Sequence, residues 1–341
     1  METRKLQQVG GGTYTVSVPK RWAVERGLDA GTEVHLYAHA DGSIVVRSSE
    51  RDDAALDGIG LDVDGDDPAL VRRLLRAAYA TGYVRVTLTP HESLTDGQLH
   101  VAREANRGLV GTEIAADAAH GFALHNVLET ADVSVRQTVV QLRFVARSAL
   151  SQAAVAFGDR DADLERLRER AEEADRLFEM VARHLNRSLV SMAELDRLGV
   201  DRPALFDYYV TARELATIAG LSVTVAQTAG DFSAAIGDRF VADLESAVDD
   251  AEELVAAAAT AVLEEATATD AHELLTDRDE VIVALDDVEA AVFDDPDSRF
   301  EGTATDAREL TRLLDVIART VDHAGVIGTT AMRAAMRPDL T

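Results

Sequence analysis

Two long stretches of this chain repeat apolar residues at steps of three and four, and that spacing leaves few folds open. Leu164, Leu167, Ala171, Ala174, Phe178, Val181, Leu185 and Leu189 form one stripe. Leu310, Leu314, Ile317, Val321, Ala324, Gly328, Ala331 and Ala335 form the other. Residues three and four apart share one face of an α-helix, so each stripe predicts an amphipathic helix packed against others. Helical patterns over Val135–Phe157, Pro203–Ala229, Phe232–Thr267 and Ala271–Phe293 bring the expected long helices to six. Breaks are expected near Gly158-Asp159, Gly199–Arg202, Gly230, Thr269-Asp270 and Asp294–Ser298.

Composition agrees with a mainly α chain. Of 341 residues, 47% are hydrophobic but only 5% aromatic, which favours closely packed helices over a β-sandwich. Cysteine is absent, which excludes disulfides, thiolate metal sites and cysteine nucleophiles. The longest uncharged run, Leu215–Gly230, is too short and polar to span a bilayer, and no signal peptide starts the chain. A soluble, cytoplasmic protein with no membrane insertion is expected. The net charge is −27, the acidic residues are spread along the chain, and Lys5 and Lys20 are the only lysines against 32 arginines. That pattern points to adaptation to high salt, where surface charge keeps a protein soluble.

The first fifty residues differ from the rest. They hold six basic and six acidic residues and are formally neutral, so the remaining residues carry all the net charge. Gly10–Gly12 separates strand-like runs at Lys5–Val9 and Thr13–Val18, and Tyr14, Val16 and Val18 alternate with Thr15 and Ser17. Pro19 ends that strand, Lys20–Arg26 allows one or two helical turns, and Gly27 stops them. Ala30-Gly31 and Asp41-Gly42 mark turns beside strands Val34–Ala38 and Ile44–Arg47. So thin a sheet buries little apolar surface alone, and pairing with a second copy would solve that. The Arg4-Lys5 start, the glycine turn, Val18-Pro19-Lys20, Gly27-Leu28 and Gly31–Val34 (GTEV) resemble the AbrB/SpoVT family, whose swapped-hairpin dimers bind DNA. The resemblance implies a homodimer with DNA-contacting cations at Arg4, Lys5, Lys20, Arg21 and Arg26. Two Arg positions typical of that family's short helix fall here on Ala23 and Val24. Ordinary solvated charge, or a module used only for dimerisation, is the alternative. The glycine run is no phosphate-binding loop, because no Gly-Lys-Ser/Thr follows it.

Residues 51–66, rich in Asp and Gly, read as an acidic linker. Residues 67–134 read as a small α/β bridging region. A helix carries Leu70, Leu74, Leu75 and Ala78, and a strand follows at Tyr83–Leu88. A second helix over Thr95–Arg107 has Thr95 as its cap, and further strands are expected at Gly111–Ala116 and Phe122–Leu128. His91, His100, His120 and His125 follow no metal-ligand spacing.

The six long helices divide into two sets of three, residues 135–230 and 231–341, and Ala219–Ala226 aligns with Val321–Gly328 as the trace of a duplicated unit. Glu172–Phe178, Val181–Leu185 and Leu314–His323 resemble the PhoU family of phosphate-signalling proteins, built from two three-helix bundles. An AbrB-like head on a PhoU-like body is an arrangement associated with archaeal regulators. The resemblance implies acidic motifs that hold multinuclear clusters of a divalent or iron-type metal. Carboxylates at i, i+3 or i+4 share a helix face, and two such helices supply the oxygens that a hard or borderline cation needs. Glu172 and Asp175 are the candidates in the first set, although their expected counterpart on the third helix, Gly220, offers no ligand. Asp322, Asp315, Asp286 and Asp287 are the candidates in the second. With 61 acidic residues, such pairs also arise by chance and then only solvate a helix.

No nucleophile–base pair, oxyanion arrangement or nucleotide loop occurs, so no enzyme is expected. The sequence thus predicts a mainly α protein: two PhoU-like three-helix bundles, preceded by a small swapped-hairpin β domain and an α/β bridging region. The function it implies is a phosphate-responsive regulator, with DNA and either a phosphate-transporter ATPase or a signalling protein as partners. An adaptor that never touches DNA, or a metal-binding helical bundle, are the rival readings.

Overall fold

The computed structural model describes residues 3–39, 42–47, 56–65, 67–91, 93–115, 122–157, 163–230, 238–293 and 303–337. It is mainly helical, with a few small sheets. The chain separates into two compact units, Met1–Ala55 and Leu56–Thr341.

The first unit holds two separate hairpins and one short helix. Strands β1 (Gln7–Val9) and β2 (Thr13–Thr15) pair antiparallel, Gln8 opposite Tyr14, around the glycine turn in which Gly10 has φ +69°. Helix α1 (Lys20–Glu25) follows Pro19 and ends at Gly27, whose φ of +66° is the left-handed conformation glycine adopts most readily. Strands β3 (His35–Ala38) and β4 (Ile44–Arg47) form the second hairpin. These elements lie where the residue pattern placed them, except that β2 stops at Thr15 instead of reaching Val18.

The second unit begins with a strand where the sequence suggested a linker. Ile59, Leu61 and Val63 alternate with Gly58, Gly60 and Asp62 in β5 (Gly58–Val63), which pairs parallel with β6 (Arg85–Pro90). High Gly and Asp content hid that period-2 pattern. Helix α2 (Pro68–Thr81) makes the crossover between them. Helix α3 (Asp96–Arg107) starts from a capping box between Thr95 and Gln98, as Thr95 led one to expect. Strands β7 (Thr112–Ile114) and β8 (Phe122–Asn126) complete a sheet of order β5-β6-β8-β7. Val71, Leu75, Leu88, Ala102, Phe122 and Leu124 are the centre of its apolar core.

The remaining helices are α4 (Val135–Val155), α5 (Leu164–Val190), the short α6 (Met192–Leu198), α7 (Arg202–Gly230), α8 (Asp238–Leu263), α9 (Ala268–Phe293) and α10 (Ala304–Ala335). The six long ones pack as two sets, α4/α5/α7 and α8/α9/α10, each helix touching both others of its set. Cross-set packings of α7 on α10 and α4 on α8, with a smaller contact of α7 with α8, join them, and one apolar core runs from Val135 to Ala331. Exchanging α4 with α8, α5 with α9 and α7 with α10 maps the packing within each set and the two larger cross-set packings onto themselves. Helix α6 was not foreseen. The break between α8 and α9 falls earlier than Thr269-Asp270 because Thr267 caps α9, bonding Asp270 through both its backbone N–H and its hydroxyl (2.9 and 2.8 Å). The expected breaks at Gly158-Asp159 and Asp294–Ser298 lie outside the described residues.

Candidate nucleic-acid interface and polar sites of the helical body

In the first unit, Arg4, Lys5, Lys20, Arg21 and Arg26 are all exposed. Lys20 and Arg21 open α1, where the positive end of the helix dipole disfavours cations, so the helix itself gains nothing from them. Arg21 is engaged by Glu25 one turn on, at 2.7 Å, while Lys5, Lys20 and Arg26 form no ion pair among the described residues. Apolar side chains here lack cover: Leu6, Val9, Tyr14, Val16, Leu36 and Ile44 are 55–70% exposed. The β3–β4 register places Leu36 and Ile44 on one face of their hairpin.

The acidic candidates lie apart. Glu172 and Asp175 do share a face of α5, and both line a cavity of about 160 Å³ against α2 and α3. Three guanidiniums, from Arg72, Arg76 and Arg176, share that cavity. Arg76 sits 3.8 Å from Asp175 and 2.5 Å from Glu179, so cationic groups from the chain already face the carboxylates. Burial pushes the Asp175 carboxyl up despite Arg76. In the second set, Asp322 pairs with Arg278 of α9. Helices α9 and α10 run antiparallel there, Leu274 lying beside Gly328, so Asp286 and Asp287 sit about two turns from the Arg278 level. Asp315, Asp286 and Asp287 are exposed. Among the described residues, no three His, Asp or Glu side chains converge as a metal-binding group.

The densest polar centre was not foreseen. Ser191 caps α6 and brings Glu194, with no exposed surface, under the C-terminal half of α5. Glu194 Oε1 accepts from the Thr130 hydroxyl at 3.0 Å and lies 3.0 Å from His184 Nδ1 and 3.1 Å from Arg187 Nε. Burial alone would raise this carboxyl, but the contacts from His184 and Arg187 outweigh it and hold it below the usual range.

The same stretch of α5 closes the end of α2. Arg183 Nη1 donates to the Tyr79 and Tyr83 carbonyls (both 2.9 Å), Asn186 to Ala80 (2.8 Å) and Arg187 to Gly82 (2.9 Å). The Ala80 carbonyl belongs to the last turn of α2 and the Gly82 and Tyr83 carbonyls follow it, while the Tyr79 carbonyl also accepts from the Gly82 N–H (2.9 Å); cations at this end are favoured by the dipole as well. Gly82 is required: its φ is +111°, and a Cβ would approach Arg187 Cγ to 2.5 Å. Burial pushes the Arg183 guanidinium down to about 10 and the neighbouring Tyr79 hydroxyl up to about 12. The available signal was the run Val181–Ser188, in which Arg183, His184 and Ser188 interrupt the apolar stripe. They are buried, whereas Leu189, assigned to the stripe, is 74% exposed.

Comparison with protein-family models and with curated proteins gave no match to this chain. No helix among the described residues is long and apolar enough to cross a membrane.

Proposed function

We propose that the chain is a phosphate-responsive regulator whose N-terminal unit dimerises and contacts DNA, and whose helical unit reports phosphate status to a partner. The partner would be the ATPase of a phosphate-uptake transporter or a signalling protein. The observation that carries the reading is the first unit's combination of uncovered apolar side chains with exposed cations at Arg4, Lys5, Lys20, Arg21 and Arg26. Large apolar groups left in water favour a second copy, and phosphate contacts by Lys and Arg release condensed counterions. Support for the helical half comes from its residue-level resemblance to PhoU proteins and from the matched packing of its two three-helix sets. The geometry at Glu172, Asp175 and Asp322 favours this reading over a metal-binding bundle, because arginines face each of these carboxylates.

Deleting the gene tests it. Phosphate-uptake genes should be derepressed in phosphate-replete cells, and unchanged expression and uptake would sink the proposal. A DNA-binding assay on the full chain, with Arg4, Lys5, Lys20 and Arg21 changed to Ala, separates a DNA-binding regulator from an adaptor whose first unit is a dimerisation clamp.

A further inference from the structure

A cavity of about 370 Å³ lies between β8, the turn after it and helices α5 and α6. It has room for a small oxyanion and several waters, at roughly 30 Å³ each. Its lining is unusual for a chain of net charge −27: Arg183, Arg187 and Arg197 contribute guanidiniums, His125 and His184 contribute imidazoles, and among the described residues the exposed Glu129 is the only lining carboxylate.

These cations are only partly used. Among the described residues, the hydrogen bonds of Arg183 leave from Nη1 alone, so its Nε and Nη2 keep three N–H donors. Arg187 engages Gly82 through Nη1 and Glu194 through Nε, which leaves Nη2. Arg197 is exposed and makes no ion pair among the described residues. Guanidinium forks match tetrahedral oxyanions in geometry as well as charge.

His184 is 3% exposed, and its Nδ1 faces Glu194, which as a carboxylate only accepts, so Nδ1 carries the hydrogen. His184 and Arg187 both engage Glu194, which is not among the lining residues, so the space itself is faced mainly by cations.

We propose that this cavity binds a tetrahedral oxyanion of the size of inorganic phosphate or sulfate, held by Arg183, Arg187 and Arg197. The binding stands on this geometry; only its use as the regulatory signal rests on the function proposed above.

Calorimetric titration of the full chain, at constant ionic strength, tests it with inorganic phosphate, sulfate and glycerol 2-phosphate. All three should bind, because guanidiniums recognise the charge and tetrahedral shape that these anions share. Arg197→Glu should weaken phosphate by roughly tenfold or more, the worth of one charge-assisted hydrogen bond, while Arg197→Lys retains most of the affinity. Arg312→Glu, on the exposed side of α10, should change nothing. Because Arg197 is exposed and forms no ion pair among the described residues, unchanged melting of Arg197→Glu separates lost binding from lost folding. No heat from phosphate or sulfate with the native chain, or an Arg197→Glu variant with native affinity, would overturn the site. None of these results depends on whether uptake genes respond to deletion.

Discussion

Glu214 of α7 and His323 of α10 meet at 2.5 Å, on the helix pair that joins the two three-helix sets. Arg213 bonds the other carboxylate oxygen at 2.5 and 2.8 Å. Fourteen residues beyond His323, Arg337 grips Asp207 with Nη1 and Nη2, so α7 and α10 run antiparallel with a buried acid near each contact.

Acidification should therefore loosen the joint. Burial raises the Glu214 carboxyl, but its bonds to His323 and Arg213 outweigh this and hold it below its ordinary 4.5. A group depressed in the folded state contributes stability above its unfolded value and loses it as pH falls through the folded one. Glu194 has the same sign. The stability that these two carboxylates supply should be at its plateau above about pH 5 and decline from there downward. Glu214→Gln should cost about 1–3 kcal/mol at neutral pH and flatten the acid decline, read from urea midpoints across pH. An acid limb as steep as the native one would contradict the assignment.

The glycines of the two helices predict opposite effects. Gly328 of α10 is buried against α9, where a Cβ would overlap Leu274 Cδ2 and come within 3.3 Å of Leu275 Cδ2. Leu274 is itself buried and has little room to yield. Gly328→Ala should cost about 1–3 kcal/mol through overpacking. Gly220 of α7 is exposed, and a Cβ there meets nothing within 4 Å. Gly220→Ala should stabilise by roughly 0.5–1 kcal/mol, the backbone-entropy difference in a helix. Denaturant midpoints that ranked the two in the reverse order would mean that the α9–α10 packing is not as described.

What the residue pattern revealed follows from how many neighbours each element has. The α10 stripe from Leu310 to Ala331 is buried as spacing predicts, since local periodicity suffices when all partners are helices. On α5 the same rule fails after Val181, because the end of α2 needs donors and turns Arg183 and His184 inward. Strand β5 depends on pairing with Arg85–Pro90, a partner no local window contains. The candidate carboxylates divide the same way. That Glu172 and Asp175 share a face follows from i, i+3 spacing. That Arg76 and Arg278 face the candidates does not, since Arg76 lies about a hundred residues from Asp175 and Arg278 sits on a different helix from Asp322.

Self-association of the first unit should depend on the face shared by Leu36 and Ile44, which are 68% and 69% exposed. Covering each is worth about 1.5–3 kcal/mol. Leu36→Glu with Ile44→Glu should convert a dimer into a monomer in sedimentation velocity, while the helical unit's thermal transition persists. A double variant that sediments like the native protein would place the dimer contact elsewhere.

DNA affinity should fall steeply with salt, in proportion to the cations engaged. Each phosphate contact contributes about −0.9 to the slope of log affinity against log salt. Lys20 and Arg26 are exposed and make no ion pair among the described residues, whereas Arg21 must first leave Glu25. Lys20→Ala with Arg26→Ala removes two contacts per copy, so for a dimer the slope should become shallower by about 3.6. Arg21→Ala should change it less than either of those substitutions alone. Fluorescence anisotropy with labelled duplex across a salt series measures both effects. A slope indifferent to Lys20 and Arg26 would remove this face of α1 from any DNA contact and leave the first unit as a dimerisation clamp.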